Sequence, residues 1–352
     1  MKNFALFLVV TVMLVNNAGA CTTFNLCQGD DVNLFAKNYD WHIGDGAVII
    51  NKRGLKKTAM KIKEDPGIPV EWVSTYGSIT FNQYGRELPT GGMNEAGLVV
   101  ELMAVPEAEF PPTDDRPYIS MRQFRQYLLD NFRTVQEFIE SDSRVRVAKG
   151  TGIGVHMLIG DRTGESAVVE FIGGKRVVYT GKSLPVRALS NTSYAESLTH
   201  WRAKKLPPED PWRSVERFIL AADSASSFDP KAVKAPVDHA FGILKKVAQG
   251  DHTKWSIVYD IKDLQVFFHT SANPKERVID LKAVDFSCRT PVKIIDIDAG
   301  SGSILNSFQS YTMQANRKLI SEAFGKTDFL KNVPAQTIDA IAAYPESMKC
   351  EQ

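Results

Sequence analysis

The sequence has almost no net charge: 42 Lys and Arg stand against 41 Asp and Glu in 352 residues. A nucleic-acid binder carries a basic excess, and this chain has none to offer a phosphate backbone. It also lacks long apolar runs. A membrane span needs about 20 apolar residues, and no segment after the N-terminus approaches that without charges. Its four cysteines, Cys21, Cys27, Cys288 and Cys350, are too few for a scaffold held together by disulfides. Neither C-x-x-C nor H-E-x-x-H occurs, and six histidines lie scattered without ligand spacing. Each therefore reads as a surface or packed residue, and no metal is expected. GTGIG at 150–154 and GSGS at 300–303 complete neither a dinucleotide fingerprint nor a P-loop, so they read as turns and no cofactor is expected.

What is present begins with a secretory layout. Lys2 is a charged n-region, Phe4 to Val15 an apolar h-region, and Ala18-Gly19-Ala20 an A-x-A cleavage site. The expectation is a signal peptide over 1–20 and a chain exported to the periplasm or medium of a bacterium. Export permits a disulfide among Cys27, Cys288 and Cys350. A bridge involving Cys350 is expected, but spacing does not choose its partner.

Residues 21–105 read as strands, including TTFNL, NLFAKNY, GAVIINKR and AGLVVELMAV, with Asn94 to Gly97 as a hairpin turn. Helical spacing follows over 118–132, and Thr134 with Glu137 forms a capping box for a helix through Ile139. Strands return over 154–189. Helices are expected near 211–223 and 234–249, then a β block through FFHT, then helices over 305–323 and 335–343. The six basic residues within 52–63 read as a solvated hairpin. Strands and helices come in batches, which predicts an α+β fold in one domain over 21–352.

Cleavage after Ala20 would give Cys21 both a thiol and a free α-amine. The amine's pKa is about 7.7–8.0 and a thiol's about 8.5, so one residue would hold a nucleophile and its base. A different reading makes Cys21 a lipid attachment point on an exported binding protein. AGAC has the small residues of a lipobox, but Ala18 stands where leucine is usual. A papain-like site does not fit, because C-G-S-C-W is absent and a strand, not a helix, follows Cys21.

CTTFNL, LFAKNYDW at 34–41, GGMNEAGL at 91–98, IGDRTGESAVVEF at 159–171, LSN at 189–191 and SVERF at 214–218 occur in that order. This series resembles the choloylglycine hydrolase family of N-terminal nucleophile amidases, which includes bile salt hydrolases and penicillin V acylases. The resemblance spans essentially all of 21–270. It implies a four-layer αββα sandwich and hydrolysis of a linear, non-peptide amide by way of a thioester, without a cofactor. An acyltransferase using the same thioester is the variant reading. The substrate implied is a small acyl amide: a conjugated bile acid, a penicillin V-type amide or an N-acyl signal lipid.

Carried over by position, the resemblance implies Cys21 as nucleophile and Asp40 as the carboxylate holding its α-amine. Asn191 would be the side-chain oxyanion donor, Ala104 the backbone oxyanion donor, and Arg217 the arginine organising the site's charge. Two positions depart from the family pattern. Lys37 stands where arginine is usual, keeping the cation but losing the planar fork of donors. Ala104 replaces Asn or Tyr, leaving only its backbone for the oxyanion. Met103 and the 41–48 loop are candidates for an apolar acyl pocket. A homo-oligomer is compatible with the resemblance, although 191–217 is short for the insertion that relatives use in assembly.

Overall fold

Alternation along the strands dictates how the layers stack. In Val99–Ala104, Val99 packs into one buried cluster and Val100 into another. Leu158 and Val168 join Val99, whereas Met157, Ile159 and Val169 join Val100. A period of two with both faces apolar means a sheet covered on both sides. The computed structural model describes residues 20–28, 31–63, 65–141, 144–150 and 153–351 and shows that arrangement. The signal peptide expected over 1–20 lies outside the described residues except for Ala20.

Among the described residues one sheet has seven strands, with Thr22–Gln28, Val32–Asp40 and Thr253–Asp260 side by side near its centre. The second has nine, with Ala47–Asn51, Ser78–Asn82, Gly91–Asn94, Val99–Ala104 and Val155–Gly160 among them. Phe24, Phe35 and Phe268 from the first sheet meet Phe81, Met93 and Leu158 from the second in the central core. Helices Ser214–Ser226 and Pro236–Lys246 cover the outer face of the first sheet through Ala221, Ala222, Ala240 and Ile243. Helix Met121–Asn131 covers the second through Phe124, Leu128 and Leu129. The fold is an αββα sandwich.

Local signals place most boundaries. Asn94 closes its hairpin by accepting from Ala96 N and Leu98 N at 3.1 and 2.9 Å. Thr134 accepts from Glu137 N at 3.1 Å and starts helix Val135–Glu140. The Glu137 carboxylate reaches back to Arg133 N, one residue before the cap, instead of to Thr134.

The structure corrects several boundaries. The last long helix runs over Met313–Gly325, because Thr312 caps it; 305–307 is a 3₁₀ turn. Helix Tyr194–Ala203 was not foreseen, since only Tyr194, Ser197 and Leu198 in it are buried and its apolar stripe is narrow. Helix Ser214–Ser226 begins three residues late, after Trp212 and Arg213 adopt left-handed φ values of 59° and 53°. Cys288 pairs with Cys350, their Cα atoms 5.6 Å apart.

The basic run over 52–63 is not wholly solvated. Lys57 is fully buried, 2.7 Å from a Glu87 oxygen and 2.8 Å from one of Asp130. Removing that ammonium would strand two carboxylates out of water. Lys57→Met is therefore expected to cost about 3–5 kcal/mol in urea unfolding, whereas exposed Lys56→Met should stay within about 0.5 kcal/mol.

Candidate active site

The strand Val32–Asp40 carries two different faces to the site. Lys37 and Tyr39 point between the sheets, where Lys37 Nζ lies 3.3 Å from Glu101 and Tyr39 OH donates to Gln83 at 2.7 Å. Asp40, on the opposite face at the strand end, accepts from Thr253 Oγ1 at 2.5 Å. Its other oxygen, Oδ2, is buried and has no hydrogen-bond donor among the described residues. Burial pushes the Asp40 carboxyl up to about 6, against the opposing pull of Arg217, Thr253, Lys37 and His252.

Cys21 sits at the head of the first strand, buried and free of any disulfide. Its thiol lies against the Asp40 carbonyl oxygen at 3.9 Å. Burial raises the thiol pKa; the Lys37 and Arg217 charges oppose that rise and the Asp40 charge adds to it. With Ala20 still attached, the Cys21 nitrogen is an amide and cannot accept a proton.

Arg217 stitches the pieces together from the first turn of its helix. Nη1 donates to Cys21 O at 2.6 Å and to Thr22 Oγ1, Nη2 to Asn191 Oδ1 at 3.0 Å, and Nε to Trp212 O at 3.0 Å. The left-handed turn at Trp212 and Arg213 makes that last bond available within the same helix entry. Ser214 fixes Asn191 from the same helix start, its Oγ accepting from Asn191 N at 3.0 Å.

Asn191 Nδ2 donates to Ala104 O at 2.8 Å. Val105 N donates to Gly154 O at 2.8 Å across the adjacent strand, and successive residues of a strand present their N–H and C=O groups to opposite edges. The Ala104 N–H therefore shares an edge with the Ala104 carbonyl that meets Asn191. The side-chain amide of Asn191 thus lies against the backbone of Ala104.

Cys21, Lys37, Asp40, Ala104, Asn191 and Arg217 thus converge, although they span almost 200 residues of sequence. Met103 does not line an acyl pocket. It is completely buried, with its sulfur 3.6 Å from Lys37 Nζ, because it points between the sheets. The apolar cavity nearby has a volume of about 140 Å³ and is walled by Trp41, Tyr84, Met121, Val155, Phe324 and Phe329 together with Arg122 and Arg125. It opens beside the site: Trp41 follows Asp40, and Val155 is the cross-strand neighbour of Ala104. Of the 41–48 loop only Trp41 reaches it.

Sequence reading missed Glu101, Thr253, Ser214 and the pair His156–Glu170. His156 Nδ1 lies 2.8 Å from Glu170 Oε1, and Nε2 lies 2.6 Å from Ser190 O, so this pair holds the residue before Asn191. Glu101, Thr253 and His156 lie outside the six motifs, Ser214 and Glu170 lie inside two of them without standing out, and each acts through contacts that only the folded chain makes. Among the described residues no group of three or more His, Cys, Asp or Glu side chains forms a metal site.

Comparisons with known proteins bear on the family and the fold. The family model for linear amide C–N hydrolases of the choloylglycine hydrolase family matches residues 21–210. A penicillin V acylase of Pectobacterium atrosepticum is 29% identical over 321 residues, covering 77% of this chain and 83% of that protein. The structure of a penicillin V acylase from Agrobacterium tumefaciens superposes with a TM-score of 0.70 at 26% identity, over 83% of this chain and 98% of that one. A conjugated bile acid hydrolase from Clostridium perfringens shares the fold, with a TM-score of 0.63 at 18% identity over 80% of this chain and 98% of its own. The chain belongs to the choloylglycine hydrolase family and is a linear amide C–N hydrolase.

Proposed function

We propose that the mature enzyme starts at Cys21 after export and cleaves an N-acyl amide with a small apolar acyl group, of the penicillin V type, through a thioester. The observation that carries this reading is Asp40 Oδ2, a buried carboxylate oxygen beside Cys21 without a donor among the described residues. A buried carboxylate oxygen normally has a partner, and an ammonium freed on Cys21 would supply one.

The steps follow from that placement. The α-amine of Cys21 takes the thiol proton, and the sulfur adds to the substrate carbonyl carbon. Asn191 Nδ2 and Ala104 N–H donate to the developing oxyanion, where preorganised donors act most strongly. The ammonium then hands its proton to the leaving nitrogen, the C–N bond breaks, and a thioester remains. Water, deprotonated by the same amine, releases the acid. Lys37 and Arg217 keep positive charge near the sulfur and so favour the thiolate. The cavity beyond Trp41 takes the acyl group. Its volume of about 140 Å³ is close to that of an engineered cavity that holds benzene, about 150 Å³.

Rapid quenching with a phenoxyacetyl amide tests the reading. Intact mass should show a chain beginning at Cys21 that gains one phenoxyacetyl group early in turnover, lost on further incubation. A diacylglycerol adduct on Cys21 would instead favour the lipid-anchored reading, because lipidation blocks both thiol and amine.

A further inference from the structure

The acyl cavity holds charge that an apolar acyl group does not need. Arg122 and Arg125 both lie on its wall, on the first turns of helix Met121–Asn131. That helix has no acidic residue in its first turn, so the positive end of its dipole adds to the two guanidinium groups.

The two arginines are held differently. Arg125 is buried and its donors are used on backbone: Nε to Pro89 O at 2.7 Å, Nη1 to Met121 O at 2.8 Å and Nη2 to Arg122 O at 2.9 Å. Carbonyls accept from all three of its nitrogens without cancelling its charge. Glu101 is the acidic group that acts on it most, but Glu101 is itself engaged by Lys37 at 3.3 Å and by Tyr259 OH. Arg122 is half-buried, and among the described residues its guanidinium has neither a hydrogen-bond acceptor nor a carboxylate partner. Tyr84, which shares the cavity wall with it, has its OH accepting from Trp41 Nε1 at 2.8 Å. Burial draws both arginines below the usual guanidinium range. A half-buried, unpaired cation on an apolar wall is costly unless a ligand pairs with it.

We infer that Arg122 is a specificity-determining residue that receives an anionic group, a carboxylate in the first instance, borne by the acyl half of the substrate. The substrate class is then the monoamide of an acid that carries a second acid group beyond an apolar ring or chain. A planar guanidinium matches a carboxylate with two parallel N–H···O bonds, which an ammonium does not. This inference rests on the acyl group entering the cavity as proposed above.

The test uses anilides of three acyl groups: phenoxyacetyl, 4-carboxyphenoxyacetyl and 4-carbamoylphenoxyacetyl. The last is a neutral near-isostere of the second. Wild type should favour the carboxylate over the carbamoyl compound by about 10-fold or more in kcat/KM, mainly through KM, as a charge-assisted pair predicts. Arg122→Gln should collapse that ratio toward one, and Arg122→Lys should restore part of it. Phenoxyacetylglycine against phenoxyacetylglycinamide places the charge on the amine half instead. Absence of a wild-type preference would overturn the assignment. So would a preference that survives Arg122→Gln, or an effect confined to the glycine pair. Calorimetric binding of the same three anilides to the Cys21→Ala protein reads the same ratio without turnover. Failure of hydrolysis with all three anilides would thus count against the proposed reaction, while the binding ratio still decides the role of Arg122.

Discussion

Cys21→Ala is expected to lower hydrolysis of any accepted amide by on the order of 10⁴-fold or more. The remaining parts of the site cannot substitute. In the proposed mechanism Asn191 and Ala104 stabilise a tetrahedral oxygen only once something has attacked the carbonyl, and Lys37 is engaged with Glu101 at 3.3 Å. The substitution should leave the fold intact, because the sulfur's one hydrogen bond among the described residues is a long 3.9 Å contact to Asp40 O. Equal unfolding midpoints with activity lost would locate the effect in the chemistry. Cys21→Ser should retain a small residual rate, since a hydroxyl is a weaker nucleophile that the same amine can still deprotonate. A Cys21→Ala enzyme turning over within tenfold of wild type would sink the mechanism.

The layers and the site were legible to different degrees. Alternation in AGLVVELMAV and GVHMLIGD announces strands, and their two apolar faces determine a sheet buried on both sides. Six ordered motifs brought Cys21, Asp40, Asn191 and Arg217 to attention because each carries chemistry in a short, recognisable context. Glu101 had no such context. It is an acid within an apolar strand, and its meaning appears only when Lys37 arrives from the other sheet. Thr253 lacks such a context too, and Ser214, although it opens SVERF, reads as an ordinary hydroxyl until folding places it on Asn191, as folding places Thr253 on Asp40. Met103 was misread because its neighbour Ala104 belongs to the site; alternation turns the two side chains to opposite faces. Lys57 shows the converse error, since a run of basic residues says nothing about two carboxylates brought from positions 87 and 130.

Asp40 gives the second large effect, in the chain that still carries residue 20. Such a chain should hydrolyse its substrate on the order of 10³-fold more slowly or worse, because its nitrogen can neither accept nor return a proton. It should also carry a pH signature. In the uncut chain the Asp40 carboxyl is raised to about 6 from a reference of 3.8. Between those values the native state holds a proton that the unfolded chain has released, so stability must fall as pH rises through the window. The shift corresponds to about 3 kcal/mol at most, absent below pH 4 and fully expressed above pH 6. Asp40→Asn in the uncut chain should therefore raise stability at pH 7 relative to its parent and change it little at pH 4. Once the ammonium of Cys21 faces Oδ2, the balance reverses. The carboxylate is then paired, its pKa is drawn down, and Asp40→Asn should destabilise the cut enzyme at pH 7. Urea unfolding of both forms of both proteins at the two pH values checks this. The same sign of Asp40→Asn before and after the cut would mean that the orphan oxygen is not the seat of the new ammonium.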